Sequence, residues 1–149
     1  MRRDEDARGP ARATPTGETD LGALLAAMSP QARPGDWFFG TVPFGTSVAA
    51  EATVHESEGL SIVVDRREAA RLGLSTAHPY RWITLRVHSS LEAVGLTAAV
   101  AGALTERGIS CNVVAGAFHD HLLVPARHGD EAITALETLS SRARDDAAR

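Results

Sequence analysis

The stretch "VHSSLEAVGLTAAVAGALTERGISCNVVAG", Val87 to Gly116, leaves a strand-like segment, crosses a polar loop, enters a helix of small apolar residues and emerges into another strand. The helix spans about Gly95 to Arg107, with Val100 and Leu104 at i and i+4 and alanines between them. Gly108 stands where a glycine ends a helix by taking up the left-handed backbone. Upstream, "YRWITLRVH" (80–88) sets Ile83, Leu85 and Val87 on one face against Trp82, Thr84, Arg86 and His88 on the other. Downstream, "ISCNVVAG" and "HDHLLVPA" read as two strands around the turn Gly116–Phe118. "GDEAITALETLSSRA" then forms an amphipathic helix, with Ile133, Leu136 and Leu139 sharing a face. The order β-α-β-β-α is a ferredoxin-like split βαβ unit without its last strand.

The first half supplies strands that can complete such a sheet. Residues 1–17 mix charge, Pro and Gly with no bulky apolar residue after Met1, and read as a disordered tail. Thr19 or Asp20 caps a short helix over "LGALLAAM", which "SPQARPGD" breaks. "WFFGTV" (Trp37–Val42) is a strand, and "AEATVHESEGLSIVVD" holds two strands joined at Glu58-Gly59. "RREAARLGL" gives one or two helical turns stopped by Gly73. Neither half has much core alone, so two closely interleaved halves are expected, residues 18–76 and 77–142, with a second disordered tail at 143–149. The expected class is α+β: two ferredoxin-like halves packed together, antiparallel sheets with helices on one face.

Composition narrows the function. Hydrophobic residues make up 44% and charged residues 23% of 149, ordinary for a soluble globular protein. The net charge of -4 and the absence of an Arg stripe interleaved with aromatics argue against nucleic acid as a partner. Every cationic chain is arginine; with no lysine, Schiff-base and P-loop chemistry are excluded. This bias, with abundant alanine, matches GC-rich bacterial coding. The single cysteine, Cys111, cannot form an internal disulfide and reads as a small core residue. No apolar run reaches the roughly 18–20 residues of a membrane span, and no apolar h-region follows the N-terminal arginines. A cytoplasmic protein with no membrane partner is expected.

The loop before the long helix carries the candidate site. A helix N-terminus offers unpaired amides and a positive dipole end, which suit a carboxylate. Gly95 permits close backbone approach. Asn112 both donates and accepts, and Glu92 can receive an ammonium group, so the two poles of a zwitterion are served. Ser89-Ser90-Leu91-Glu92 equally fits the S-x-x-E capping box, in which both side chains finish the helix. His119-Asp120-His121 places two imidazoles at i, i+2, but no further His/Cys pair stands at a metal-binding spacing, so no metal and no cofactor is expected. Ser90, His88 and Asp120 compose a triad on paper, with no spacing to support it. G-x-S-x-G, H-E-x-x-H and the dinucleotide glycine fingerprint are all missing, and no enzymatic activity is expected.

"EAVGLTAAVAGALTERGISCNVV" (Glu92–Val114) resembles the signature of ACT domains, small-molecule-binding regulatory modules. Gly95, Leu96, Val100, Leu104, Gly108 and Ile109 fall on its positions, while Glu92-Ala93-Val94-Gly95 replaces the usual Asp-Arg-Pro-Gly opening. Together with "RWITLRVHSSLEAVGLTAAVA" and "HDHLLVP", it is similar to small bacterial proteins whose ACT domains are akin to those of aspartokinases and the CASTOR arginine sensors. The resemblance covers about Glu18 to Ser140. It implies tandem ACT-like halves, an amino-acid ligand and a homodimer. It also implies a site between the loop after the first strand and the start of the next strand: His88, Ser89, Ser90, Leu91, Glu92, Ala93, Val94 and Gly95, with Asn112 and Val113 opposite.

Overall fold

Asp20 starts the first helix: its carboxylate accepts the Ala23 amide at 2.8 Å, and Leu21–Ala27 follows as α1. The computed structural model describes residue 11 and residues 16–149. After α1 come β1 (Pro30–Ala32), β2 (Trp37–Val42), β3 (Ala52–Glu56), β4 (Gly59–Asp65) and α2 (Arg66–Arg71). Asp65 ends β4 and caps α2 in one residue, accepting the Glu68 amide at 2.8 Å. The second half contains β5 (Tyr80–Leu85), α3 (Leu96–Thr105), β6 (Asn112–Ala115), β7 (Asp120–Pro125) and α4 (Gly129–Ala147), the last entered through a short 3-10 turn over Ala126–His128. Gly108, at φ +67°, closes α3 as its position indicates: its own amide reaches Thr105 O, and the Ile109 amide reaches Leu104 O.

All seven strands among the described residues join one antiparallel sheet of order β3-β4-β2-β5-β7-β6, with β1 paired to β5 off this path, rather than two packed sheets. Its hub is β5. β7 takes one edge of that strand, and β1 and β2 run end to end along the other, with Ala32 opposite Ile83 and Trp37 opposite Tyr80. The segment Pro30–Ala32, expected to be only a helix-breaking loop, is therefore the strand that ties the first half to the second. Three residues are too few to display alternation in a sequence. The ladder is lengthened by the Arg86 amide donating to Ser29 O and the Arg33 amide donating to Trp82 O, both at 2.8 Å.

Alternation assigns the two faces. Ile83, Leu85, Leu122 and Val124 pack beneath Leu24 of α1, Leu96, Val100 and Leu104 of α3, and Ala132, Ala135 and Leu136 of α4. On the same face of the neighbouring strands, Phe38, Ile62 and Val64 pack beneath Ala69 of α2. The helices thus share one face, and the class is α+β. Among the described residues no helix covers the opposite face, yet Trp37, Val63, Trp82 and Leu123 are buried on it. Ala52 from one outermost strand and Val114 from the other both pack on that cluster, so the sheet curls over itself. The Arg33 guanidinium covers both indoles, 4.6 and 4.9 Å from the ring centres, and pairs with Glu51 at 2.6 Å. Phe39, the remaining aromatic of "WFFGTV", is exposed.

The two chain ends differ from each other in what the structure describes. The tail 1–17 lies almost wholly outside the described residues, but Gly17 sits against Ser89 and Ser90, where a Cβ would overlap their backbone. Residues 143–147 are helical, not a disordered tail, because α4 continues to Ala147. The reason is a set of hydrogen bonds from two side chains to the carbonyl end of α1, which has no basic residue of its own in its last turn. The buried Ser140 hydroxyl donates to Met28 O at 3.0 Å and Ala26 O at 3.3 Å, and Arg144 donates to Ala26 O at 3.1 Å. One helix thereby caps another. Among the described residues, no helix is long and apolar enough to cross a membrane.

Two stability predictions follow from these contacts. Ser140→Ala leaves the Met28 carbonyl without its donor and is expected to lower the urea-unfolding free energy by about 1–3 kcal/mol, while the exposed Arg142→Ala stays within about 0.5 kcal/mol of the parent. Glu68 accepts from Arg71 Nε at 2.8 Å and from the Ala49 amide at 2.9 Å, and these bonds hold its carboxyl at about 2, below its ordinary 4.5. Since the folded value is the lower one, the stabilisation is present above about pH 4.5 and is lost as pH falls toward about 2. The difference in urea midpoint between the parent and Glu68→Gln is expected to shrink across that window; a difference that stays constant contradicts the assignment.

Candidate functional site

The mouth of α3 is built without a side-chain cap. Gly95 occupies the N-cap position at φ +102°, and a Cβ there would stand 2.9 Å from Leu21 Cδ2, so glycine alone fits beneath α1. The S-x-x-E pattern does not cap the helix, which starts only at Leu96 with no side-chain bond at its N-cap. Ser90 folds the loop on itself instead: its hydroxyl accepts the Glu92 amide at 3.2 Å, and its carbonyl accepts the Ala93 amide at 3.0 Å. The first hydrogen bond of the helix runs from the Ala99 amide to Gly95 O. The amides of Leu96, Thr97 and Ala98 therefore have no acceptor among the described residues.

A cavity of about 130 Å³ opens at this point, lined by Ser89, Ser90, Leu91, Ala93, Leu96, Thr97, Ala115 and Asp120. The incoming chain braces its wall. Glu18 bridges to Ser89 in parallel fashion, its amide donating to His88 O at 3.0 Å and its carbonyl accepting the Ser90 amide at 2.9 Å. Four polar side chains are buried in the described structure: Glu68, Thr84, Ser89 and Ser140. Glu68 is held by Arg71, Thr84 by His121 and Ser140 by the end of α1. Ser89, 8% exposed, has a hydroxyl with no partner among the described residues, and it lines the cavity. Opposite it, Asp120 is part-buried; burial pushes its carboxyl up, against a smaller downward pull from His121 and His119. Three larger clefts, of 340, 410 and 420 Å³, lie elsewhere on the surface.

The structure brings together part of the expected residue set. Ser89, Ser90, Leu91 and Ala93 line the cavity, and Gly95 sets the helix start beside it. Glu92 is exposed and Val94, 83% exposed, stands clear of the cavity. The His88 ring packs on Phe118 at 5.4 Å, with its Nε2 enclosed and unpartnered. Asn112 and Val113 do not face the loop. They open β6 opposite Leu123 and Leu122, and at about 3.3 Å per residue Asn112 lies roughly 10 Å from the Ala115 end. The helix carries the chain away from the loop, so the next strand starts at the far end and only its last residue returns. Ala115, with Asp120 paired to it across the hairpin, occupies the place expected of Asn112. The order of elements contained that signal.

The remaining chemical candidates disperse. His119 Nδ1 donates to Val87 O at 3.0 Å, whereas His121 Nδ1 and the Thr84 hydroxyl share a hydrogen bond of 2.9 Å. No cluster of three or more His, Cys, Asp or Glu able to hold a metal occurs among the described residues. No hydrogen bond among the described residues links Ser90, His88 and Asp120 into a triad. Burial pushes the Cys111 thiol from 9.0 up to about 11, which leaves little thiolate at neutral pH. Its alkylation by iodoacetamide at about pH 7.5 is expected to run about a hundredfold slower in the folded chain than in the same chain unfolded in urea, as followed by mass spectrometry. Equal rates would refute this burial effect.

Comparison with known proteins agrees with this architecture. One family model described as an ACT domain matches residues 16–81, and a second, also described as an ACT domain, matches residues 77–138. No curated protein matches the chain. Among solved structures, a Vibrio cholerae protein of unknown function, described as a possible transport protein, is 43% identical with a TM-score of 0.72, over 80% of this chain and 95% of that one. An Agrobacterium tumefaciens protein shares the fold at 16% identity and a TM-score of 0.60, over 76% of this chain and 89% of that one. With two ACT domains that between them span both halves of its sheet, the chain belongs to the ACT-domain proteins.

Proposed function

We propose that this chain is a non-catalytic regulatory protein that binds an amino acid at the mouth of α3. The observation that carries the reading is the uncapped start of α3: Leu96 and Thr97 of its first turn, with the largely buried Ser89, line a cavity at that point. A carboxylate placed there completes the helix in the way a capping side chain would. The second half is then a ferredoxin-like unit whose fourth strand is lent by β1. The outer edge of β6 carries neither Lys nor Pro to blunt it, which supports a homodimer formed through that edge. The lone cysteine fits a cytoplasmic location.

Thermal melting in the presence of each common amino acid at about 10 mM is expected to show a rise of a few degrees for at least one of them. Ala115→Leu, which fills the cavity, is expected to abolish the rise, and Asn112→Ala to preserve it. No rise with any amino acid overturns the binding proposal. Proton NMR of the bound amino acid, unchanged after prolonged incubation, tests the non-catalytic reading. Sedimentation equilibrium tests the dimer.

A further inference from the structure

We infer that the Arg33 side chain is a releasable clasp between the two ACT domains, and that protonation of His121 releases it. The clasp shares no residue with the lining of the α3 cavity, so it stands whether or not that cavity takes a ligand. Arg33, from the connection between β1 and β2, lays its guanidinium 4.6 Å from the Trp37 ring centre and 4.9 Å from that of Trp82. Trp37 lies in the first domain and Trp82 in the second. Glu51, from the segment before β3, pairs with the same guanidinium at 2.6 Å. Neither indole N–H has a hydrogen-bond partner among the described residues, so packing and this cation hold the two rings.

His121 reaches the same indole from β7. Its ring stands 5.4 Å from that of Trp82, and its Nδ1 shares a hydrogen bond of 2.9 Å with the Thr84 hydroxyl. A hydroxyl both donates and accepts, so it serves either protonation state and the ring gains its charge without leaving Trp82. The charged and titratable groups around it are Arg33, Glu51 and, from its own hairpin, His119 and Asp120. Burial, then His119 and Arg33, lower the pKa of His121 below the ordinary imidazole value, against smaller upward pulls from Asp120 and Glu51. The neutral ring therefore belongs to the closed clasp. A state in which Arg33 has moved away takes up the proton more readily, so a fall in pH through the ordinary imidazole range favours that state. A second cation at Trp82 repels Arg33 and competes with it for Glu51. Cation–π contacts and exposed ion pairs are each weak, and the Arg33 side chain, 35% exposed, has water to enter. Its release uncovers two indoles on the face that already exposes Phe39 and Val54.

The chain has two tryptophans, both in this cluster, so quenching of tryptophan fluorescence by uncharged acrylamide reads the clasp alone. In the full chain the quenching constant is expected to rise at least about twofold between about pH 7.5 and about pH 5, with the far-UV circular dichroism unchanged. Arg33→Ala is expected to show the raised constant at both pH values, and His121→Gln to keep the parent's neutral-pH constant at both. A parent constant that does not change with pH overturns the release, and so does a rise that His121→Gln retains. A rise accompanied by loss of circular dichroism is unfolding and overturns it as well. If His121→Gln does not fold, Arg33→Ala decides: a rise with falling pH as large as the parent's shows that the clasp is not what opens, and overturns the inference.

Discussion

Both edges and both faces of the strand Tyr80–Leu85 are occupied, and the molecule is organised by that saturation. Its edges carry β7 on one side and the interrupted strand β1–β2 on the other. Ile83 and Leu85 enter the helix-covered core, while Trp82 enters the aromatic cluster on the bare face at 2% exposure. The two ACT domains lie in one sheet with this strand between them, its residues Trp82–Leu85 buried. The site inherits its geometry from the same element. The loop after β5 is anchored at its beginning by the sheet and at its end by Gly95 beneath Leu21.

Much of this fold was legible because it is written in local chemistry. Alternation along 80–88 separated the two faces of β5, and the glycines at 95 and 108 bracketed the long helix to within two residues. Trp37–Val42 forms a strand with the expected bounds. What escaped detection depends on distant partners. Pro30–Ala32 becomes a strand only because β5 has an open edge beside it. The end of α4 looks like solvated charge in "RARDDAAR", yet Arg144 and Ser140 have acceptors at the end of α1.

The cavity at the mouth of α3, where we propose the site, lies beside the loop the sequence singled out. The small-residue helix after a polar loop identified the mouth of α3, and four loop residues do line its cavity. The capping-box pattern misled because spacing alone does not reveal where a helix begins; here Gly95 sets that point well beyond Ser89. Asn112 was favoured for its side chain, but the direction of β6 places it at the wrong end. Asp120 was overshadowed by the two histidines around it, whose rings are used by Val87 and Thr84.

The contact between Arg144 and Ala26 joins residues 118 positions apart, near opposite ends of the chain. During synthesis the apolar side of α1 emerges well before α4, the helix that covers it. β1 must likewise wait for β5. Such non-local closure is slow compared with helix formation and leaves apolar surface uncovered in the meantime. The nascent chain therefore acquires the native packing of α1 only once α4 has been made, and until then this helix is a surface on which chaperones can act.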